Sequence, residues 1–343
     1  MKRNLIYFFL LLLLSFGVWY LVINRSSSTL KSDDTSFLVE DTTSIGKIFI
    51  ADMQGNKVTL TRKPGYWMVN DSFPVRPEFM DVLMRTIRRV TVAYPVAEAA
   101  HDQVIKELAA ENKKVMIYDL DNNLIKSYFV GGPTTDNQAT YMLMEGSENP
   151  MATVIPGFVG TLTIRYLTDM EEIRSRNIFS YSTNDLKTIQ IDYPSHPDSS
   201  FQINLLGPDS FYITQSSLKQ TIRLSDKNYN LYEYLQLFRF INAEAFQNSY
   251  SKKDSLLKTI PFATLTVIDR KGIATKLLCY YKPVTQKTMS QYDNKGNVLS
   301  FDMDRFYVAA NNGKDFLLVQ QQHFGRLLKS FNYFIHGNVS TSK

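Results

Sequence analysis

Residues 45–70, IGKIFIADMQGNKVTLTRKPGYWMVN, decide the fold that we predict for this chain. Apolar and polar residues alternate on both sides of Gly55-Asn56 and Pro64-Gly65, and these dipeptides favour tight turns. Such alternation is typical of half-buried antiparallel strands joined by hairpins. The stretch therefore predicts a β meander and argues against a helix.

Much of this pattern returns from Leu186 onward, which predicts a tandem repeat. The segments that repeat the first half in the same order are 186–192, 211–213, 229–246, 251–260, 263–269, 274–281, 305–309 and 316–319. Residues 229–246 repeat the amphipathic helix that apolar spacing predicts for residues 79–90. The predicted fold class is α+β: an N-terminal transmembrane helix, then two related units of antiparallel β meander and hairpins with amphipathic helices.

The N-terminus carries an apolar run, residues 5–23, that no charged residue interrupts. As a helix it would span roughly 28 Å, about one hydrocarbon core of a bilayer. A signal peptide cleaved near Ser26 or Ser28 is the alternative, but the run is longer than a usual signal core. Lys2 and Arg3 favour a cytoplasmic N-terminus. We therefore expect a single-pass protein of the cell inner membrane that contacts the lipid bilayer through residues 5–23, with its bulk in the periplasm.

The segment boundaries follow from these patterns. They are a transmembrane anchor (1–25), a flexible linker rich in Ser, Thr and Asp (26–44), a first α+β unit (45–170), a connector (171–185), a second α+β unit (186–335) and a tail (336–343).

Composition narrows the classes of function. The 343 residues are 44% hydrophobic, which supports a packed core, and their net charge is +5 without a basic stripe, which gives no indication of nucleic-acid binding. The chain has one cysteine, Cys279, so it has no disulfide partner within the chain. Cys279 lies in a predicted strand, where a buried apolar role is favoured over that of a nucleophile.

The sequence contains no catalytic constellation that we recognise. It has no Gly-x-Ser-x-Gly or His-Glu-x-x-His pattern, and no cofactor or metal site is predicted. Asp119, Asp121 and Asn123 have the spacing that begins a calcium loop, but Leu124 and Val130 occupy the glycine and glutamate positions of that motif. A hairpin turn is the favoured interpretation. The histidines, none within metal-ligand spacing of another, are His101, His196, His323 and His336.

Two weak binding candidates lie at strand ends. Trp67 could stack on a sugar or on a partner's side chain, although an aromatic residue at this spacing is more often in the core. Gly131 and Gly132 open a polar loop whose backbone N–H groups could cradle a ligand, and Tyr141 follows on the next strand. Because strand-to-strand turns also need such residues, we favour the turn.

A third candidate is the arginine cluster of the first predicted helix. Arg88 and Arg89, together with Arg85, could bind anions or acidic lipid. The favoured alternative is a solvated face with basic residues near the C-terminal end of the helix, where they interact well with its dipole.

The assembled residues resemble the bacterial domain-of-unknown-function family numbered 4340. The resemblance covers about residues 45–192 and is weaker beyond them. The matching segments are 48–50, 58–60, 65–70, 79–90, 128–132, 139–141 and 174–179. The resemblance implies a membrane-anchored extracytoplasmic protein without assigned activity, often found with auxiliary subunits of gliding-type ABC transporters. It supplies no active-site residues.

Together these observations predict a partner-binding accessory of an envelope or ABC-transporter-type complex, whose partners are other envelope proteins. The alternative is an envelope glycan- or peptide-binding receptor, or a hydrolase, with a site between the two units. A passive spacer is a third possibility.

Overall fold

A computed structural model describes residues 35–207, 210–225, 228–286 and 288–336. The predicted anchor at 5–23 lies outside these residues. Within them, no helix combines the length and apolar character needed to cross a bilayer. The chain divides between Ser175 and Arg176 into two compact units, inside the connector predicted at 171–185.

The first unit is built on nine strands. They are β1 (Ile45–Asp52), β2 (Lys57–Lys63), β3 (Tyr66–Val69), β4 (Phe73–Pro74), β5 (Thr91–Pro95), β6 (Lys113–Asp119), β7 (Leu124–Pro133), β8 (Thr140–Met144) and β9 (Met151–Val154). They form one sheet in the order β4-β3-β2-β1-β6-β7-β8-β9-β5, with every neighbouring pair antiparallel. The meander predicted from residues 45–70 is confirmed as β1, β2 and β3.

Three helices accompany this sheet: α1 (Pro77–Arg89), α2 (Glu98–Ala110) and α3 (Met170–Ile173). Helix α1 begins with proline, whose fixed φ suits a first helical position. Its buried side chains include Phe79, Leu83 and Ile87, as the apolar spacing predicts. Leu83 is completely buried, which is worth about 1.5–3 kcal/mol for a side chain of this size.

The core of the first unit extends into the predicted linker. Phe37 and Val39 are buried in the same cluster as the apolar face of α1. The Val39 N–H donates a hydrogen bond to the Ile87 carbonyl at 3.0 Å. Residues 37–39 are therefore packed, and the first unit includes them.

The second unit contributes eleven strands. They are β10 (Asn177–Phe179), β11 (Leu186–Asp192), β12 (Phe201–Gly207), β13 (Ser210–Gln215), β14 (Gln220–Leu224), β15 (Ile241–Asn242), β16 (Ala245–Phe246), β17 (Ala263–Asp269), β18 (Ala274–Tyr281), β19 (Arg305–Ala310) and β20 (Asp315–Gln320). Strands β10 and β15 pair with each other, and the others form an antiparallel sheet in the order β14-β13-β12-β11-β17-β18-β19-β20-β16.

The two large sheets share one strand order. In each, the fourth strand in the order pairs with a strand from later in the chain: β1 with β6, and β11 with β17. Their registers also agree. Ile45 pairs with Asp119 and Leu186 with Asp269, and in each case a register shift follows within two residues. Every strand of one sheet therefore has a topological equivalent in the other.

The helices of the second unit are α4 (Tyr229–Gln236), α5 (Lys253–Leu257) and α6 (Phe331–His336). The helix predicted across residues 229–246 is wrong beyond Gln236. A 3-10 turn (Leu237–Arg239) follows, and β15 then pairs with β10. The backbone hydrogen bonds of this segment thus go to a strand partner and not to a longer helix.

Candidate functional site

A cleft of 340 Å³ opens beside Trp67 in the first unit. Ligand pockets commonly measure about 300–1,000 Å³, so this cleft suits one side chain or a small ligand group. It lies between the β2–β3 hairpin, the N-terminal half of α1 and residues 42–43. The lining residues are Thr42, Thr43, Arg62, Gly65, Tyr66, Trp67, Val75, Pro77, Met80, Asp81 and Met84.

Arg62 and Trp67 form the wall of the cleft. They face each other across β2 and β3, and the guanidinium carbon lies 4.6 Å from the centroid of the indole ring. Arg62 Nε donates to the Ile45 carbonyl at 2.6 Å, and Nη2 donates to the Thr42 carbonyl at 2.7 Å. The guanidinium is thus held from two sides, and the cation–π contact fixes the indole against it.

A tight turn holds the second side of the cleft. The Thr43 N–H and hydroxyl both donate to Asp41 Oδ1, at 2.9 and 2.5 Å. These hydrogen bonds lower the pKa of Asp41, while burial lowers the pKa of Arg62 and the Asp41 charge opposes that effect. An arginine remains charged at neutral pH under such a shift, so the wall is cationic.

The mouth of the cleft combines aromatic, thioether and carboxylate groups. Tyr66 is 51% exposed, and Asp81 is exposed on α1. Met80 is buried and Met84 half-buried below them. Thioether side chains adapt to different apolar shapes, and the exposed ring offers a flat apolar surface.

The second unit shows what these positions hold when no cleft forms. By register, Leu205 is the equivalent of Arg62 and Phe211 that of Trp67, because each pair lies opposite across its strands. Leu205 and Phe211 are both 2% exposed. Tyr232 of α4 packs edge-on against Phe211 at 5.9 Å and fills the space.

The lining of the cleft combines apolar, aromatic and charged side chains. Of the described residues that line it, none is a serine, cysteine or histidine. Across the described part of the chain, no three His, Cys, Asp or Glu side chains are grouped closely enough to hold a metal ion. The lining can take an apolar or planar group against Trp67 and Met84, with a polar group toward Arg62 or Asp81.

Comparison with models of known protein families, with curated proteins and with solved structures found no match for the chain.

Packing explains the first of the paired glycines, Gly131. A Cβ atom on Gly131 would lie 2.6 Å from Leu108 Cδ2, closer than real contacts allow, and 3.2 Å from the Tyr141 carbonyl oxygen, which is tighter than most real contacts. Gly131 is buried beneath α2 and its carbonyl accepts a hydrogen bond from the Thr163 hydroxyl. Gly132 is exposed, with open space around its Cα. Gly131 therefore allows the close approach of α2 to the sheet.

The arginine cluster lies apart from the cleft. Arg88 and Arg89 are exposed in the last turn of α1, and neither lines the cleft. Arg89 Nη2 donates to the Pro156 carbonyl at 2.9 Å, and Arg85 Nε donates to the Asp81 carbonyl at 3.1 Å. Two of the three side chains thus bond to carbonyl groups of their own unit.

The hairpin turn predicted at Asp119 is confirmed. Oδ1 of Asp119 accepts the N–H groups of Asp121 (2.9 Å) and Asn123 (2.7 Å), and Oδ2 accepts from the Asn123 amide (2.9 Å). These bonds lower the pKa of Asp119. Asp52 and Asp293 form turns with the same bonds.

Cys279 and His101 have local structural roles. Cys279 is completely buried in β18, as predicted, and burial raises the pKa of its thiol, which disfavours the nucleophilic thiolate. One ring nitrogen of His101, Nε2, lies 2.8 Å from the Glu148 carbonyl oxygen, and this hydrogen bond raises the pKa of His101.

The structure thus brings Trp67, predicted as a candidate, together with residues that the sequence analysis missed. Arg62 could have been found, because Val58, Leu60 and Arg62 share one face of β2 and the first two are buried. A charged residue at a core-facing position is unusual and indicates a special structural or binding role. Asp81 gave no such indication, since it lies on the exposed face of an amphipathic helix, and neither did Met84, which packs half-buried against the core.

Proposed function

We propose that this chain is a membrane-anchored extracytoplasmic protein that binds other envelope proteins as an accessory of a transporter-type complex. Residues 5–23 would hold it in the inner membrane, as their length and apolar character suggest. The resemblance to the family numbered 4340 points the same way. The Trp67 cleft would receive a side chain of the partner protein.

The observation that carries this proposal is the pair of residues in the cleft wall. Arg62 and Trp67 stand at positions where Leu205 and Phe211 complete a closed core in the other unit. Aromatic and arginine side chains beside an adaptable apolar pocket are enriched at the centres of protein interfaces. An arginine held by two carbonyls and a tryptophan loses little rotamer freedom on binding.

Site-specific photo-crosslinking in cells tests the proposal. A photoreactive phenylalanine analogue replaces Tyr66 at the mouth of the cleft, and in a matched control it replaces Leu124. Both residues belong to the first unit and are 51% exposed. We expect a discrete adduct with an envelope protein from position 66 alone, and its loss when Trp67→Ala is added.

Identical adducts from both positions, or no adduct from position 66, would overturn the partner-binding role of the cleft. An adduct with a glycan would instead favour a sugar-binding receptor. Protease added to spheroplasts tests the location, because a body outside the cytoplasm is digested and a cytoplasmic one is protected.

A further inference from the structure

The second unit has its own cleft, of 520 Å³, at the point where α4 ends early. Helix α1 continues for thirteen residues, whereas α4 stops after eight and leads through a turn into β15. The cleft lies below this turn and is bounded on its other side by residues 320–326. The side chains that matter here are Gln236, Arg239, Phe240, Asn242, Glu244 and Arg326.

The charge of this cleft is unbalanced. Arg239 and Arg326 are exposed, and within the described residues neither pairs with a carboxylate. Glu244 is the one carboxylate among the described lining residues, and both its oxygens accept from Arg305 Nε, at 2.8 and 3.1 Å. Its charge is thereby neutralised, and the two remaining arginines leave the cleft cationic.

The cleft also presents an apolar anchor among amide groups. Phe240 is 71% exposed, although its ring could bury a large apolar area. Asn242 and Gln320 supply side-chain amide N–H groups that can donate to a peptide backbone, while the Gln236 amide bonds to Thr183 and Arg239. A concave surface with such amides fits a polypeptide segment better than the flat surface of a bilayer.

A neighbouring cleft of 400 Å³ shares Gln320 and extends the surface. Its lining includes Met289 and Met303, which are 85% and 53% exposed, together with the charged residues Asp304 and Arg305. Both methionines belong to the long β18–β19 connection, whose equivalent in the first unit is a short loop. Exposed methionines are typical of surfaces that adapt to a partner's apolar side chains.

We propose that this surface of the second unit binds an acidic peptide segment of a partner protein. Carboxylates of the segment would pair with Arg239 and Arg326, and an adjoining apolar side chain would cover Phe240. The proposal concerns a different unit and a different surface from the Trp67 cleft, so each proposal can be tested and refuted without the other.

A random-peptide display library screened against the purified full chain tests this inference. We expect enrichment of sequences with two or more Asp or Glu residues beside an aromatic or aliphatic residue. The Arg239→Gln/Arg326→Gln variant should bind the enriched peptides about tenfold more weakly. Phe240→Ala should weaken them by a similar factor, about tenfold.

Arg223→Gln is the matched control, since Arg223 is an exposed cation of the same unit that lies on β14, outside the cleft. It should leave binding unchanged. The replaced residues are exposed, so folding is maintained, which thermal unfolding checks. No enrichment, enrichment without acidic bias, or equal weakening by Arg223→Gln would overturn the proposal. Binding of short-chain phosphatidylglycerol but not of acidic peptides would also overturn it, in favour of a membrane contact.

Discussion

Gly131→Ala should lower the free energy of unfolding of the first unit, and Gly132→Ala should leave it unchanged or slightly raised. A methyl group at Gly131 would lie 2.6 Å from Leu108 Cδ2 and 3.2 Å from the Tyr141 carbonyl oxygen. At Gly132 it would meet no atom within 4 Å. Leu108 is itself 5% exposed, so its side chain has little room to withdraw.

The expected loss follows from two opposing effects. Overpacking a filled site costs about 1–3 kcal/mol, because side chains and backbone must shift. Alanine in place of glycine also restricts the unfolded chain, which raises the free energy of unfolding by about 0.4–1 kcal/mol. The net loss for Gly131→Ala should therefore be about 1–2 kcal/mol. At Gly132 only the second effect acts, so Gly132→Ala should leave the free energy of unfolding unchanged or raise it by at most about 1 kcal/mol.

Urea titration of the full chain in a mild detergent measures both values. Trp67 reports on the first unit, and the other of the two tryptophans, Trp19, lies in the predicted anchor. Leu108→Ala in the Gly131→Ala background should cost less than the sum of the single changes, since it removes the atom in conflict. If Gly131→Ala proves as neutral as Gly132→Ala, the packing explanation is wrong. The alternative from the sequence analysis, a loop that cradles a ligand, would then be favoured.

Two further predictions concern stability. Asp119→Ala should lower the urea midpoint at neutral pH and make its fall between about pH 5 and pH 3 shallower. The hydrogen bonds from Asn123 hold the pKa of the folded Asp119 below that of an unfolded aspartate, so this carboxyl contributes stability at neutral pH and loses that contribution as the pH falls. An equally steep fall in the variant would contradict this. Tyr128→Phe should cost about 1–3 kcal/mol by leaving the buried Tyr166 hydroxyl, 3.2 Å away, without its partner. The Tyr128→Phe/Tyr166→Phe pair should cost less than the sum of the single changes in a double-mutant cycle, and additivity would contradict it.

The sequence predicted those features that depend on local pattern. Alternation in residues 45–70 identified β1 to β3, and apolar spacing identified α1, because periodicity reflects which face is buried. It failed at α4, where the spacing continues past Gln236 but the chain pairs with β10 instead. Pairing with a distant strand is a tertiary choice that leaves little trace in local periodicity.

The candidate sites were harder to predict for the same reason. Trp67 was identified as an aromatic residue at a hairpin end, but its partner Arg62 and the opposing Asp81 come from separate elements that only the fold brings together. The cleft at Phe240 depends on an early helix end, and its second arginine, Arg326, is distant in sequence. Phe37 packs into the core although it lies in a stretch whose composition resembles a linker.

Equivalent positions in the two sheets help to separate packing from function. Tyr280 is the register equivalent of Gly131, and Tyr307 that of Tyr141. In the second unit both tyrosines are buried against the short helix α5, whereas in the first unit Gly131 admits the longer helix α2. In both units a helix therefore packs closely on the sheet at this position. The difference between Arg62 and Leu205 has another result. In the first unit Arg62 lines an open cleft as a fixed cation, whereas in the second unit Leu205 and Phe211 are buried in a closed core. This open cleft, present where the other unit has a closed core, is the observation on which the proposed binding role rests.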